Sequence, residues 1–200
     1  MPTTVVKSIG TTGRDYSTLQ SWEDACPANL VSDDKIWKGE CYNDSEFTSG
    51  LHVSGITTDS TRYVWLTAAS GQSFIDHANV RTNALIYDQS KGVGIVANPF
   101  YKPVILNEIN HTRVDRLQVK RALGSYGTGA LNLSGSGSSV KDSLFQKTFS
   151  GTPYVVDVSA NKIYNCAVID TGGSSGGALK FFTTGTGKNC TVVNASGSTN

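Results

Sequence analysis

The chain has 200 residues, enough for one domain with a small appendage, and 38% of them are hydrophobic, lean but sufficient for a core. Its 17 basic residues oppose 16 acidic ones, so no basic stripe points to nucleic acid and no charge block to an interaction tail. With 21 glycines but only 5 prolines it is neither collagen-like nor disordered, and the Ser, Thr, Asn and Gly between short β-branched runs have the texture of an all-β protein.

The opening MPTTVVKSIGTTGRDYS has no apolar core and no cleavage signature, so it does not read as a secretory signal. No run reaches membrane-span length. The segment DYSTLQSWEDACPANL predicts the one convincing helix, over about residues 17–26. Ser17 is the expected N-cap with Gln20 three residues on; Leu19, Trp22 and Cys26 share one apolar face, and Pro27 ends the helix. In the following DDKIWKGECYNDSEF, the residues Ile36, Trp37, Cys41, Tyr42 and Phe47 predict an irregular first coil. The carboxylates Asp33, Asp34, Glu40, Asp44 and Glu46 lack the loop length and glycine of an EF-hand and read as solvated, so no metal is expected. Residues 1–60 thus read as a cap and attachment segment outside the pattern that follows.

From residue 61 onward the pattern is a repeat. YNCAVID, residues 164–170, returns as KNCTVVN, residues 188–194. Stepping back from Cys190 and Val192, one period at a time, gives Cys166 and Val168, then Ser143 and Phe145, then Leu117 and Val119, then Val93 and Ile95. Each pair is separated by one residue, so both members point to the same side of a strand. A second series interleaves: Leu179 and Phe181, Val156 and Val158, Leu131 and Leu133, Val104 and Leu106. A β-sandwich also spaces its strands regularly, but it gives no reason for Asn-Cys-x-Val to return in register. A solenoid does: strands of successive coils stack, and their inward residues form columns. Asn165 and Asn189 then stand one above the other, where side-chain amides bond along the stack. The helix residues Ser17, Leu19, Trp22 and Cys26 are expected to cover the first coil, and the end near Asn200 is expected to be uncapped. The cysteines Cys26, Cys41, Cys166 and Cys190 read as free thiols, since in-register neighbours fit disulfide torsions poorly. Without a secretory route, the Asn-x-Ser/Thr strings at Asn110, Asn132, Asn189 and Asn194 read as chance.

Coils of this length, an Asn-started strand, and a helix after GRDYSTLQSWEDA resemble the pectate-lyase-like right-handed parallel β-helix superfamily. The likeness covers residues 10–26 and the coils from about 85 to 194. The wording around Trp22, Trp37 and GECYND is most similar to phage-encoded β-helix proteins of virions, such as decoration, tail-fibre or spike components. The resemblance implies a right-handed, single-stranded β-helix of ~24 residues per coil.

For chemistry, the lyases of that superfamily imply clustered carboxylates with a basic residue, and the hydrolases imply paired carboxylates. The coils carry Asp115, Asp142, Asp157 and Asp170, a weak alternative catalytic set, beside Arg113, Arg116, Lys120 and Arg121. No two of these carboxylates stack in neighbouring coils, and each reads first as a turn residue bonding its own backbone. His52, His77 and His111 are scattered. The densest charge, HTRVDRLQVKR, reads as a solvated face, a subunit contact or a patch for an anionic glycan. The expectation is therefore a structural virion component, assembled in the host cytoplasm, without cofactor, nucleic acid or membrane. Other virion proteins would bind residues 1–60, and the chain would form a homotrimer. The alternative is a spike-like protein that binds or degrades polysaccharide.

Overall fold

A computed structural model describes residues 1–76, 85–98, 102–123, 129–149, 154–159, 161–172, 178–182 and 185–194. His77 and the chain end at Asn200 lie outside the described residues. Strand β1 (Thr3–Ile9) and helix α1 (Leu19–Asp24) come first, followed by β2 (Lys35–Cys41) and β3 (Leu51–Val53). Four circuits of three strands follow. They are β4 (Val64–Ala68), β5 (Gly94–Val96) and β6 (Ile105–Asn107); β7 (Thr112–Asp115), β8 (Gln118–Arg121) and β9 (Leu131–Leu133); β10 (Ser139–Lys141), β11 (Leu144–Lys147) and β12 (Val156–Ser159); and β13 (Lys162–Tyr164), β14 (Ala167–Asp170) and β15 (Leu179–Phe182). β16 (Thr186–Lys188) and β17 (Thr191–Asn194) begin a further circuit.

Each circuit places one strand in each of three sheets. The first sheet runs β1-β2-β4-β7-β10-β13-β16, the second β5-β8-β11-β14-β17 and the third β3-β6-β9-β12-β15. Every pairing is parallel. The chain is an all-β parallel solenoid of about five turns.

In the second sheet Ile95, Val119, Phe145, Val168 and Val192 share one register. All but Val192 are fully buried; Val192, in the last described circuit, is 48% exposed. Two residues earlier in each circuit stand Val93, Leu117, Ser143 and Cys166, also buried, and the half-buried Cys190. In the third sheet Leu179, Val156 and Leu131 align. One step further the expected register is off by one: Leu131 pairs with Ile105, not Val104, and Leu133 pairs with Asn107, not Leu106. The interior position there is an asparagine. Buried Asn107 donates to the Ile109 carbonyl (2.8 Å) and accepts from the Thr112 hydroxyl (2.6 Å), so its amide is satisfied where a leucine would have revealed the pattern.

The corners between the first and second sheets explain the repeated phrase. Arg116, Asp142, Asn165 and Asn189 all adopt left-handed backbone, with φ of 63°, 51°, 51° and 53°. Asn and Asp tolerate this region best among residues with a Cβ. The main-chain ladder continues through the corner: Arg116, Asp142 and Asn165 donate N–H to the carbonyls of Lys141, Tyr164 and Lys188. Asn189 Nδ2 donates to Asn165 Oδ1 (3.3 Å), and Asn165 Nδ2 to Asp142 Oδ1 (3.0 Å). The residue after the corner turns inward and donates to the carbonyl two residues back: Ser143 Oγ to Lys141, Cys166 Sγ to Tyr164, Cys190 Sγ to Lys188.

Residues 1–60 do not stand apart from the pattern. β1 and β2 extend the first sheet and β3 the third, while Phe47 bridges to Ile95 in the second. Their circuits, from Thr3 round to Lys35 and from Trp37 round to Val64, are longer than those from β7 onward, which hides them from a search at a shorter period. Helix α1 is capped by Thr18, not Ser17. Thr18 is extended (φ −136°, ψ 156°); its hydroxyl accepts from the Ser21 amide, and the Ser21 hydroxyl accepts from the Thr18 amide. Leu19 and Trp22 are fully buried in the core, and Cys26 packs partly against it. Gln20 takes both main-chain groups of His52 in β3, accepting from N–H (2.9 Å) and donating to C=O (3.3 Å), and Glu23 accepts from the Ser54 amide.

One circuit is much longer than the rest. Trp65 in β4 pairs with Arg113 in β7, whereas Arg113 pairs onward with Ser139 and Ser139 with Lys162, so the step from β4 to β7 is nearly double those that follow. The described parts of the extra segment fold over the outer face of the second sheet. Phe74 and Tyr87 pack on Leu144, Ala167 and Ile169. Gln118 accepts from the Asp88 amide (3.0 Å), Gln146 accepts from the Tyr87 amide (3.0 Å), and Tyr87 donates its hydroxyl to Glu46 (2.7 Å).

Candidate functional site

The outer face of the first sheet carries the richest side-chain chemistry. Strand alternation sends every second residue outward, and the registers align these residues in two rows. One row reads Val6, Lys38, Trp65, Arg113, Ser139, Lys162, Thr186; the other reads Ser8, Glu40, Thr67, Asp115, Lys141, Tyr164, Lys188. One step along a row is one coil, about 4.8 Å. Between β7 and β13 this face opens into a cleft of about 650 Å³, lined by Ser60, Tyr63, His111, Arg113, Asp115, Gly137, Ser139, Lys141, Lys162 and Tyr164.

Aromatic rings hold the cations in place. The Arg113 guanidinium lies 3.6 Å from the centre of the Tyr63 ring, and the Lys38 ammonium 4.4 Å from that of Trp65. Trp65 Nε1 donates to Asp115 Oδ2 at 2.7 Å. Burial pushes the Asp115 carboxyl up from its ordinary value, against the Trp65 hydrogen bond and the positive charges of Lys141 and Arg113. His111 has left-handed backbone (φ 52°) and donates its amide to the Ser136 carbonyl. Its ring seats on Gly137, where φ is +70° and any Cβ would lie 2.6 Å from the imidazole; a side chain there would both strain the turn and displace the ring.

The four candidate carboxylates do not converge. Asp115 lines the cleft. Asp142 is in the corner, accepting from Asn165 and ion-paired with Lys141 at 3.3 Å. Asp157 faces outward on the third sheet between Asn132 and Lys180, and burial pushes its carboxyl up. Asp170 is fully buried with Lys147 at 3.2 Å, in one register with buried Arg121. Asp115 is the one carboxylate among the described lining of the cleft, so a pair for glycosidic acid and base catalysis is not built there. Arg116, in the corner between the first and second sheets, pairs with Asp76, and Lys120 stands over the Tyr87 ring. Among the described residues, no three His, Cys, Asp or Glu side chains form a group able to hold a metal ion. Asp34 is engaged by Arg62 (2.7 Å) and Asp44 by the Thr11 amide (2.9 Å).

Tyr63, Trp65, Lys141, Lys162 and Tyr164 were not singled out by the sequence. Reading the outward residues at the repeat spacing finds Arg113, Ser139 and Lys162 as one row, but polar outward positions carry no hydrophobic signal. The chain matches no protein-family model, and no curated protein and no solved structure shows significant similarity to it.

Proposed function

We propose that this chain is a structural component of a bacteriophage virion, a capsid-decoration or tail-fibre protein, and that its working property is stiffness. The supporting observation is the unbroken seven-stranded parallel stack of the first sheet, whose hydrogen bonds run along the solenoid axis and tie every circuit to the next. The likeness of the opening segment to phage β-helix proteins supports the location. In this reading α1 covers the first circuit, residues 1–60 attach the protein to the particle, and three copies associate. The test is sedimentation of a lysate of the native source with mass spectrometry across the gradient. Co-migration with dense particles and their capsid or tail proteins is the expected result; recovery at the top of the gradient as a soluble species overturns the reading.

A second reading, a particle component that recognises polysaccharide, is favoured by one observation: the open cleft on the first sheet is lined by cations, hydroxyls and a single carboxylate rather than by apolar side chains.

A further inference from the structure

We infer that Cys166 and Cys190 form a two-thiolate clamp for a soft metal ion that takes two ligands in line, copper(I) being the ion of that class. The inference is independent of where the protein works.

Spacing is the first support. The Ala167–Thr191 pairing, and the bond from the Thr191 amide to the Cys166 carbonyl (2.9 Å), set the two cysteines one above the other in adjacent coils. The corner residues before them share one backbone conformation, Asn165 at φ 51° and Asn189 at φ 53°. The thiols also share one orientation: Cys166 Sγ donates to the Tyr164 carbonyl (3.1 Å) and Cys190 Sγ to the Lys188 carbonyl (3.3 Å), each two residues back. The sulfurs therefore repeat as the backbone does, one coil rise apart, about 4.8 Å. A disulfide needs about 2.05 Å. Two metal–thiolate bonds of about 2.3 Å each, laid end to end, span about 4.6 Å. Cys190 Sγ also lies 3.6 Å from the Ile163 carbonyl, next in the chain to the carbonyl that Cys166 uses, so both sulfurs face one stretch of β13.

Ligand number is the second support. Among the described residues no third His, Cys, Asp or Glu completes a group with this pair. Zinc, which takes four ligands, is thereby disfavoured, whereas thiolates suit copper(I). The third support is access. A cavity of about 250 Å³ opens between the corner and the long segment, and Phe74, Ile75, Asn165, Cys166, Asn189 and Thr191 line it. It thus reaches Cys166 and the residues on both sides of Cys190, with an apolar wall opposite. On binding, each Sγ–H releases its proton to water and its sulfur forms one bond to the ion, so one copper(I) and two thiols give S–Cu–S and two free protons, with no oxidant consumed. The product carries one negative charge, and Cys190, only half-buried, keeps it within reach of water.

The test is an anaerobic titration of the full, reduced chain with copper(I) supplied as its bicinchoninate complex, with X-ray absorption at the copper edge. The parent is expected to withdraw one copper(I) per chain, with two sulfur neighbours and no nitrogen or oxygen, and not to bind zinc(II). C166S and C190S are each expected to lose at least a hundredfold in copper(I) affinity while keeping the β circular dichroism. C26S, outside the pair, is expected to bind as the parent does. If C166S fails to fold, C190S is read alone, since Cys190 is the less buried of the two. Parent-like copper(I) binding by C190S overturns the inference, as does copper left with bicinchoninate by the parent. Zinc(II) bound as tightly as copper(I), or a copper shell of three or more ligands, overturns the linear two-thiolate clamp.

Discussion

At the scale of the residue, the corner after β10, β13 and β16 is a two-part device. A residue that accepts left-handed backbone turns the chain, and a small inward donor adds a second hydrogen bond to a carbonyl that already accepts from the main-chain ladder. Cys166 is 2% exposed, and burial pushes its thiol up to about 12, so at neutral pH it is a protonated donor to the Tyr164 carbonyl at 3.1 Å. Ser143 fills the same position one coil earlier with a hydroxyl. Cys166→Ser is therefore expected to stay within about 1 kcal/mol of the parent in urea denaturation, because the bond is kept. Cys166→Asp places an unpaired charge in the column and is expected to unfold the protein, read by loss of the β circular dichroism. A parent-like stability for Cys166→Asp would mean that this position does not face the interior.

At the scale of the element, the long segment before β5 is clamped to the second sheet by glutamines and by one surface ion pair. Burial alone would push Asp76 up, but the Ser73 amide and the Arg116 guanidinium outweigh it and hold the carboxyl below its ordinary value of 3.8. A lowered carboxylate stabilises the fold above its unfolded value, and that contribution is lost as pH falls below about 3.8. Asp76→Asn should thus reduce the melting temperature at pH 6, and the difference should shrink as pH falls below about 3.8, as followed by thermal melts across pH; a difference that does not change with pH would assign the effect to packing instead. This segment was not legible in the sequence, because it interrupts the period that revealed the coils. The columns from Val93 to Cys190 were legible because small and branched apolar residues recur there at nearly constant spacing. The register at Ile105 was not, because Asn107 puts a polar group where the column needs an interior residue, and β1 and β2 stayed hidden because their circuits are longer. The cleft was legible only in part: Arg113 and Asp115 stood out as charge, whereas Lys162 and Tyr164 are joined to them by register alone.

At the scale of the whole molecule, contacts run between neighbouring circuits, so circuits should be removable as units. Deleting residues 139–161 removes one full circuit, from Ser139 up to its register partner Lys162. It places β13 on β7, β14 on β8 and β15 on β9, and it sets Asp170 beside Arg121, opposite charges at one buried register. The shortened chain is expected to keep a β circular dichroism spectrum with a modestly lower melting temperature. Deleting only residues 139–149 leaves half a circuit and is expected to abolish folding. Equal outcomes for the two deletions would contradict a stack of interchangeable coils. The same independence of circuits gives the long step from Trp65 to Arg113 its meaning. An excursion of that size leaves and re-enters the stack without shifting a single interior pairing, so outside and inside can change separately. That corner is a socket: through it the lineage of this protein can acquire new surface, or an engineer can graft a foreign loop, while the frame beneath stays as it was.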